Sequence, residues 1–256
     1  MIIKINLEEI MKDSLVTQIY NLTASLSFEL QPIINAENLK ICDYELLLRS
    51  KNNNSFPLKE FTLLTKNNES NLIFMAWLKK KLLVELRKTP TKTISINLDP
   101  QQLLYPSTKK FLQELASYQS QLIIEITEQI PLITEQNFVL DKFLPQLYKF
   151  GYKLAFDDLG SGQNTLELLL NDLIYFKRIK LSLLKFQQLD ADLLAELLNF
   201  CQMLAKKEHL ELVIEGIDCA KKAELALNHG IFLQQGFWWR NLINNHQLNQ
   251  LNNLDK

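Results

Sequence analysis

Glycine is scarce in this chain, with six residues in 256 where average usage would be about 7%. None precedes Gly151, so the first 150 residues hold no glycine-rich phosphate turn of the dinucleotide-binding kind. Cysteine is equally thin. Cys42, Cys201 and Cys219 are odd in number and far apart, which fits reduced thiols and argues against a disulfide frame. The three histidines, His209, His229 and His246, adjoin no strand-like end bearing other ligands, which argues against zinc or iron. No apolar run approaches the ~20 residues of a membrane span, and early acids without a small-residue cleavage site argue against a leader. The expectation is a soluble, cytoplasmic protein with no membrane contact. Charge of one sign is also missing: the net charge is −1 with Lys and Arg scattered, so no basic face favours a nucleic-acid polymer.

What is present is alternation. A helical lead-in over residues 1–26 is followed by strand-like runs at 27–34 and 41–49, close enough to pair as an antiparallel hairpin. Helical periodicity spans Leu58 to Lys88, with Trp77, Leu78, Leu82 and Leu83 as its core-facing stripe. From Thr93 onward, strands are predicted at 93–98, 122–127, 153–158, 176–181, 210–215 and 231–235. Helices are predicted between them at 107–118, 136–150, 165–171, 191–206 and 219–228, with a polar tail from Asn241. Apolar strands separated by helices require parallel pairing with helices covering the sheet. About eight strands in this length fit one (β/α)8-type barrel domain over 27–256, opened by the hairpin; a doubly wound open sheet is the alternative.

In such a barrel the strand C-termini share one mouth, where side chains from several strands meet. The residues at those ends are Glu45, Asn97, Glu125, Asp157, Asp158, Lys180, Glu215 and Gln235. Five carboxylates, amides and one ammonium in a single pocket demand hard cations, and all-oxygen ligands select Mg²⁺ or Mn²⁺. Adjacent acids at one strand end suit two ions about 3.5–4 Å apart, the arrangement that activates water against a phosphodiester.

The motifs carry a resemblance. Tyr44-Glu45-Leu46-Leu47-Leu48-Arg49, Ile96-Asn97-Leu98, Glu125-Ile126-Thr127-Glu128, Asp157-Asp158-Leu159-Gly160-Ser161-Gly162, Glu215-Gly216-Ile217-Asp218 and Gln235-Gly236-Phe237 resemble, in order, the signatures of EAL-domain proteins. The resemblance implies hydrolysis of cyclic di-GMP to linear pGpG by a water activated between two Mg²⁺ or Mn²⁺ ions, in a homodimer. It implies that Glu45, Asn97, Glu125 and Asp157 hold one ion, with Asp157 bridging to Asp158 on the second. Glu215 would complete the shell and Lys180 would polarise the attacking water. Gln31, Leu47 and Arg49 match ligand-facing positions, and Gln235 one beneath the metal shell. Gly160, Ser161, Gly162 and Asp218 match the loop that couples metal binding to dimerisation and its support.

Several positions depart from that pattern. Leu159 stands for a usual Phe, Ser161 for Thr, Gln163-Asn164 for Tyr-Ser, and Asp218 for a Glu with a longer arm. The lysine position falls on Arg178 without gaps, or on Lys180 with two extra loop residues and Ser182 in place of an Asp. Lys180 is preferred, because Ile179 and Leu181 flank it as a buried strand residue is flanked, and Arg178 shares its face. A guanidinium would be a poor proton acceptor. The alternative function is a non-catalytic relative that binds cyclic di-GMP or an unidentified protein partner.

Overall fold

The computed structural model describes residues 17–130 and 140–245. Eight strands close a barrel in chain order: β1 (Leu26–Asn35), β2 (Lys40–Ser50), β3 (Thr93–Leu98), β4 (Leu122–Ile126), β5 (Lys153–Phe156), β6 (Phe176–Ser182), β7 (Glu211–Glu215) and β8 (Leu233–Gln234). From β2 to β8 neighbours pair in parallel, whereas β1 runs antiparallel to both β2 and β8. The sheet is therefore the expected barrel with an inverted first strand, and the open-sheet alternative is excluded.

The inversion has a positional effect. Leu26 pairs with Ser50 at the upper end of β2, and Asn35 with Lys40 at its base, so the chain enters the barrel from the mouth. The helical residues 17–24 lie at that rim, where Lys51 donates to the carbonyls of Ser25 and Ala24 and Ile19 is buried.

Strand residues such as Ile94, Ile96, Leu98, Ile124, Ile126 and Ile214 pack outward under the covering helices, as the apolar face of a period-two pattern must. The alternate residues point inward and include strand-borne polar and charged groups. Along β2 the inward series from base to mouth is Asp43, Glu45, Leu47 and Arg49; along β6 it is Arg178, Lys180 and Ser182.

Three expected elements differ. The run from Leu58 to Lys88 is two helices, Leu58–Leu64 and Asn68–Lys88, because Asn67 accepts from the Ser70 amide and starts a new cap. Part of the helix expected over 136–150 lies outside the described residues, and the rest is a short turn, Leu140–Lys142, and a helix, Leu144–Lys149. The tail expected from Asn241 is instead the end of a helix, Phe237–Asn244, which buries Trp239 and Leu242. Trp239 also donates its indole N–H to Gln234, so this part of the aromatic run Phe237-Trp238-Trp239 seals the barrel end. Among the described residues, no helix is long and apolar enough to cross a membrane.

Candidate active site

Lys180 is the hub of the mouth. Its Nζ lies 2.6 Å from Glu125 Oε2, 2.6 Å from Glu215 Oε1, 3.1 Å from Asp157 Oδ1 and 3.2 Å from Glu45 Oε2. Acids from four strands, as far as 135 residues from Lys180 in the chain, thus converge on one ammonium. Arg178, one layer lower, faces the opposite end. Its guanidinium bonds Glu211 through two nitrogens, at 3.0 and 2.7 Å, and Asp43 at 2.5 Å, closing the barrel base. Lys180, not Arg178, stands among the strand-end acids.

Around Lys180 the neutral amides orient the carboxylates. Asn97 Nδ2 donates to Glu45 Oε1 at 2.7 Å, and Gln235 Nε2 donates to Glu45 Oε2 at 2.6 Å and to Gln31 Oε1 at 3.1 Å. Gln31 and Glu45 are direct cross-strand partners, which explains why the first strand contributes to the site. Gln235 is nearly inaccessible, so its amide holds Glu45 in place from below. Arg49 lines the cavity above and is held by Glu29, with Nε 2.8 Å from Oε2; Glu29 also pairs with Arg240 at 2.8 Å. Leu47 forms half-buried wall beside it.

The electrostatics follow from dehydration. Burial pushes the Glu215 carboxyl up to about 7, with Lys180 only partly opposing it. Burial also lifts Asp157 well above the ordinary carboxylate range, and neighbouring Glu215, Glu125 and Glu45 add to the lift against Lys180. Glu125 is raised for the same reasons. Glu45 is buried as well, but Lys180 and the hydrogen bonds from Asn97 and Gln235 outweigh burial and hold it below its ordinary value. For Lys180 burial opposes the charge, yet four carboxylates outweigh it and keep the ammonium's pKa well above normal. One lysine among four dehydrated acids leaves the nest short of positive charge.

The donor set fits a divalent cation. Asn97 Oδ1, Glu125 Oε1 and Asp157 Oδ1 are buried and accept no hydrogen bond; Asp157 Oδ1 meets Lys180 only as a neighbouring charge. Orphaned oxygens on three adjacent strands are what a hard cation would satisfy. A second group lies further out, where Glu128, Asp157 and Asp158 each present an oxygen within 4.8 Å of the others.

The loop after β5 is built around strained backbone. Asp158 adopts φ +46°, a left-handed conformation that asparagine and aspartate tolerate better than most residues. Gly162, at φ +51°, runs against the Glu128 carbonyl so closely that a Cβ would lie 2.1 Å from that oxygen. Ser161 pairs with Asn164 in a small bridge, and buried Asn164 donates its amide to the Ile126 and Asp157 carbonyls. Gly160 sits under the Phe186 ring. Asp218 is not joined to this loop: its carboxylate accepts from Lys222 at 2.7 Å. The sequence reading singled out neither Asn164 as the loop's staple nor Glu128, Glu29 and Lys185 as charges around the site. Glu128 was legible as the last residue of the Glu125-to-Glu128 motif, whereas the other contacts depend on long-range packing.

Above the nest opens a cavity of about 700 Å³. Its size falls within the ~300–1,000 Å³ usual for small-molecule sites. Its floor carries Glu45, Asn97, Asp157 and Lys180, and one apolar wall carries Phe28, Phe56 and Phe61.

Fold and site define an α/β barrel whose mouth is an oxygen-lined, acid-rich nest beneath a cavity. The EAL domain family model matches residues 17–241, and the chain belongs to that family. A probable cyclic di-GMP phosphodiesterase, PdeN of Escherichia coli (strain K12), is 25% identical over 225 residues, covering 81% of this chain and 42% of the relative. The chain thus spans less than half of that relative's length. Among solved structures, Klebsiella pneumoniae BlrP1 in a calcium and cyclic di-GMP complex superimposes with a TM-score of 0.64 at 25% identity, over 83% of this chain and 54% of that one. A standalone EAL protein from Vibrio cholerae O395, bound to cyclic di-GMP, gives a TM-score of 0.62 at 22% identity, covering 83% of this chain and 90% of its own.

Proposed function

We propose that this chain is a phosphodiesterase that hydrolyses cyclic di-GMP to linear pGpG. The observation that carries the reading is the Lys180 nest, with its orphaned oxygens on Asn97, Glu125 and Asp157, lying at the floor of the cavity. Family membership supports the same substrate. Glu45, Asn97, Glu125 and Asp157 would hold one Mg²⁺ or Mn²⁺, and Asp157 and Asp158 would hold a second. When bound, such ions lower the pKa of water and neutralise charge on the phosphodiester.

The chain's own groups supply the rest. Arg49, fixed by Glu29, presents its guanidinium to a phosphate oxygen, while Gln31 and Leu47 line the approach. Lys180 orients the attacking water and Glu215, 2.6 Å from the Lys180 ammonium, receives its proton. Gly160, Ser161 and Gly162 hold Asp158 in its left-handed turn. The active species is a homodimer, and the free thiols Cys42, Cys201 and Cys219 suit a reducing, cytoplasmic setting.

Purified chain supplied with Mg²⁺ or Mn²⁺ and cyclic di-GMP is expected to release pGpG, measured chromatographically, and Glu45→Ala to abolish the product. Absence of turnover with both metals across a broad pH range would overturn the reading. One observation favours a non-catalytic receptor instead: Asp218 is spent on Lys222 and does not support the 158–164 loop. Calorimetry separates the two, since a receptor binds the dinucleotide without forming product, and a protein-docking relative binds none.

A further inference from the structure

The outer acidic group already has a cation of its own. Beyond Ser182, residues Leu183–Phe186 form a single tight turn that folds back over the site. Two contacts fix it: the Phe186 ring covers Gly160, and Leu184 covers Gly216 so closely that a Cβ there would fall 2.9 Å from Leu184 Cγ. Between these anchors Lys185 reaches inward, placing Nζ 3.2 Å from Asp158 Oδ2 and 3.7 Å from Glu128 Oε1. Those are two of the three residues whose oxygens cluster within 4.8 Å at the outer position. Where the family pattern puts an acid at the end of this strand, the chain has Ser182, so the turn has lost a negative charge and carries a positive one.

We propose that Lys185 is a built-in counter-ion for the outer cation position, so that the chain loads its inner ion readily and admits the second only by displacing this ammonium. The inference rests on the two-ion reading above. A divalent ion approaching Asp158 must displace an ammonium already paired there, whereas the ammonium deeper in, Lys180, leaves Asn97 Oδ1 and Glu125 Oε1 without a hydrogen bond. The Lys185 side chain is 42% exposed, so it can swing into water when displaced. The residue thereby sets the concentration of metal at which the two-ion state forms. Inner-site affinity is left to Glu45, Asn97, Glu125 and Asp157.

The test is a Mn²⁺ titration of the metal-stripped chain, read by electron paramagnetic resonance. Two ions about 3.5–4 Å apart give a spin-coupled spectrum that one ion cannot give. The wild-type chain is expected to show an isolated Mn²⁺ signal first and the coupled signal only at higher metal. In Lys185→Gln and Lys185→Ala the coupled signal should appear at about five- to tenfold lower Mn²⁺, as expected for loss of a half-exposed ion pair. Thermal melts of both variants confirm that the fold is intact. Identical titrations for wild type and both variants would overturn the role of Lys185 while leaving the hydrolase reading standing. A folded wild-type chain that binds no Mn²⁺ at all would overturn both.

Discussion

The barrel interior holds two buried cations on one strand, two residues apart, and they serve opposite ends differently. At the base, Arg178 faces two carboxylates, Asp43 and Glu211, which it bonds through Nε and Nη2, leaving only Nη1 without a partner. At the mouth, Lys180 faces four carboxylates and leaves two of their oxygens, Glu125 Oε1 and Asp157 Oδ1, without a hydrogen bond. A guanidinium is a permanent, geometrically rigid charge, suited to closing a structure. A single ammonium surrounded by excess acid is an unfinished arrangement, which a bound cation would complete. The lesson is that burial of charge marks function where the charges fail to balance, and structure where they come closer to doing so.

The comparison can be broken most severely at Lys180. Lys180→Met is expected to lower turnover of cyclic di-GMP by about 10²-fold or more, the scale of losing a group that positions the attacking water. Steady-state kinetics at saturating Mg²⁺ would check this, and retention of near-normal turnover would remove Lys180 from the chemistry.

Next in size is the pH response of the metal-free protein. Glu215 has its folded-state pKa raised from 4.5 to about 7, so the folded form prefers the protonated acid. The stabilisation is complete below pH 4.5 and disappears as pH rises through about 7. Asp157 and Glu125 act in the same direction, and Glu45 in the opposite one. In chelator, stability is therefore expected to fall by about 3 kcal/mol across that interval. Glu215→Gln should flatten the slope, and added Mg²⁺ should reverse it. Denaturant melts at a series of pH values measure both effects. A stability that rises through the interval would contradict the described balance.

The smallest expected effect belongs to the base. Arg178→Met strands Asp43 and Glu211, but the Glu211 side chain is 35% exposed and recovers water. The expected cost is about 2 kcal/mol, below the ~3–5 typical of a fully buried broken pair. Turnover per folded molecule should stay within about twofold, since this residue acts on no bound group. A collapse of turnover in folded Arg178→Met would erase the division of labour between the two cations.

Much of this arrangement was legible before any coordinates. The βα alternation gathered the strand ends, Glu45 among them, at one mouth, and period-two spacing put Arg178 and Lys180 on one face. The same periodicity could not separate Lys180 from Arg178, because it specifies a face and not a height within the barrel. Their partners decide the height, and these lie 135 residues away in Glu45 and Asp43. The Asn67 cap was written locally, but with Ser70 in place of the more usual Glu or Gln, and an amphipathic run concealed it. The helix Phe237–Asn244 was obscured by its asparagines, although Trp239 and Leu242 keep a three-residue spacing on its buried face. Asn164 and Lys185 were beyond reach, since each acquires its role from backbone or charge supplied by another part of the chain.

The direction of β1 carries one more consequence. Because this strand descends from the reactive rim to the base, the helical residues 17–24 arrive beside the opening and not at the far floor. The strand that follows that helix bears Glu29 and Gln31, the hydrogen-bond partners of Arg49 and Gln235. The leading helix and the side chains that brace Arg49 and Gln235 therefore share one continuous stretch of chain at the barrel mouth.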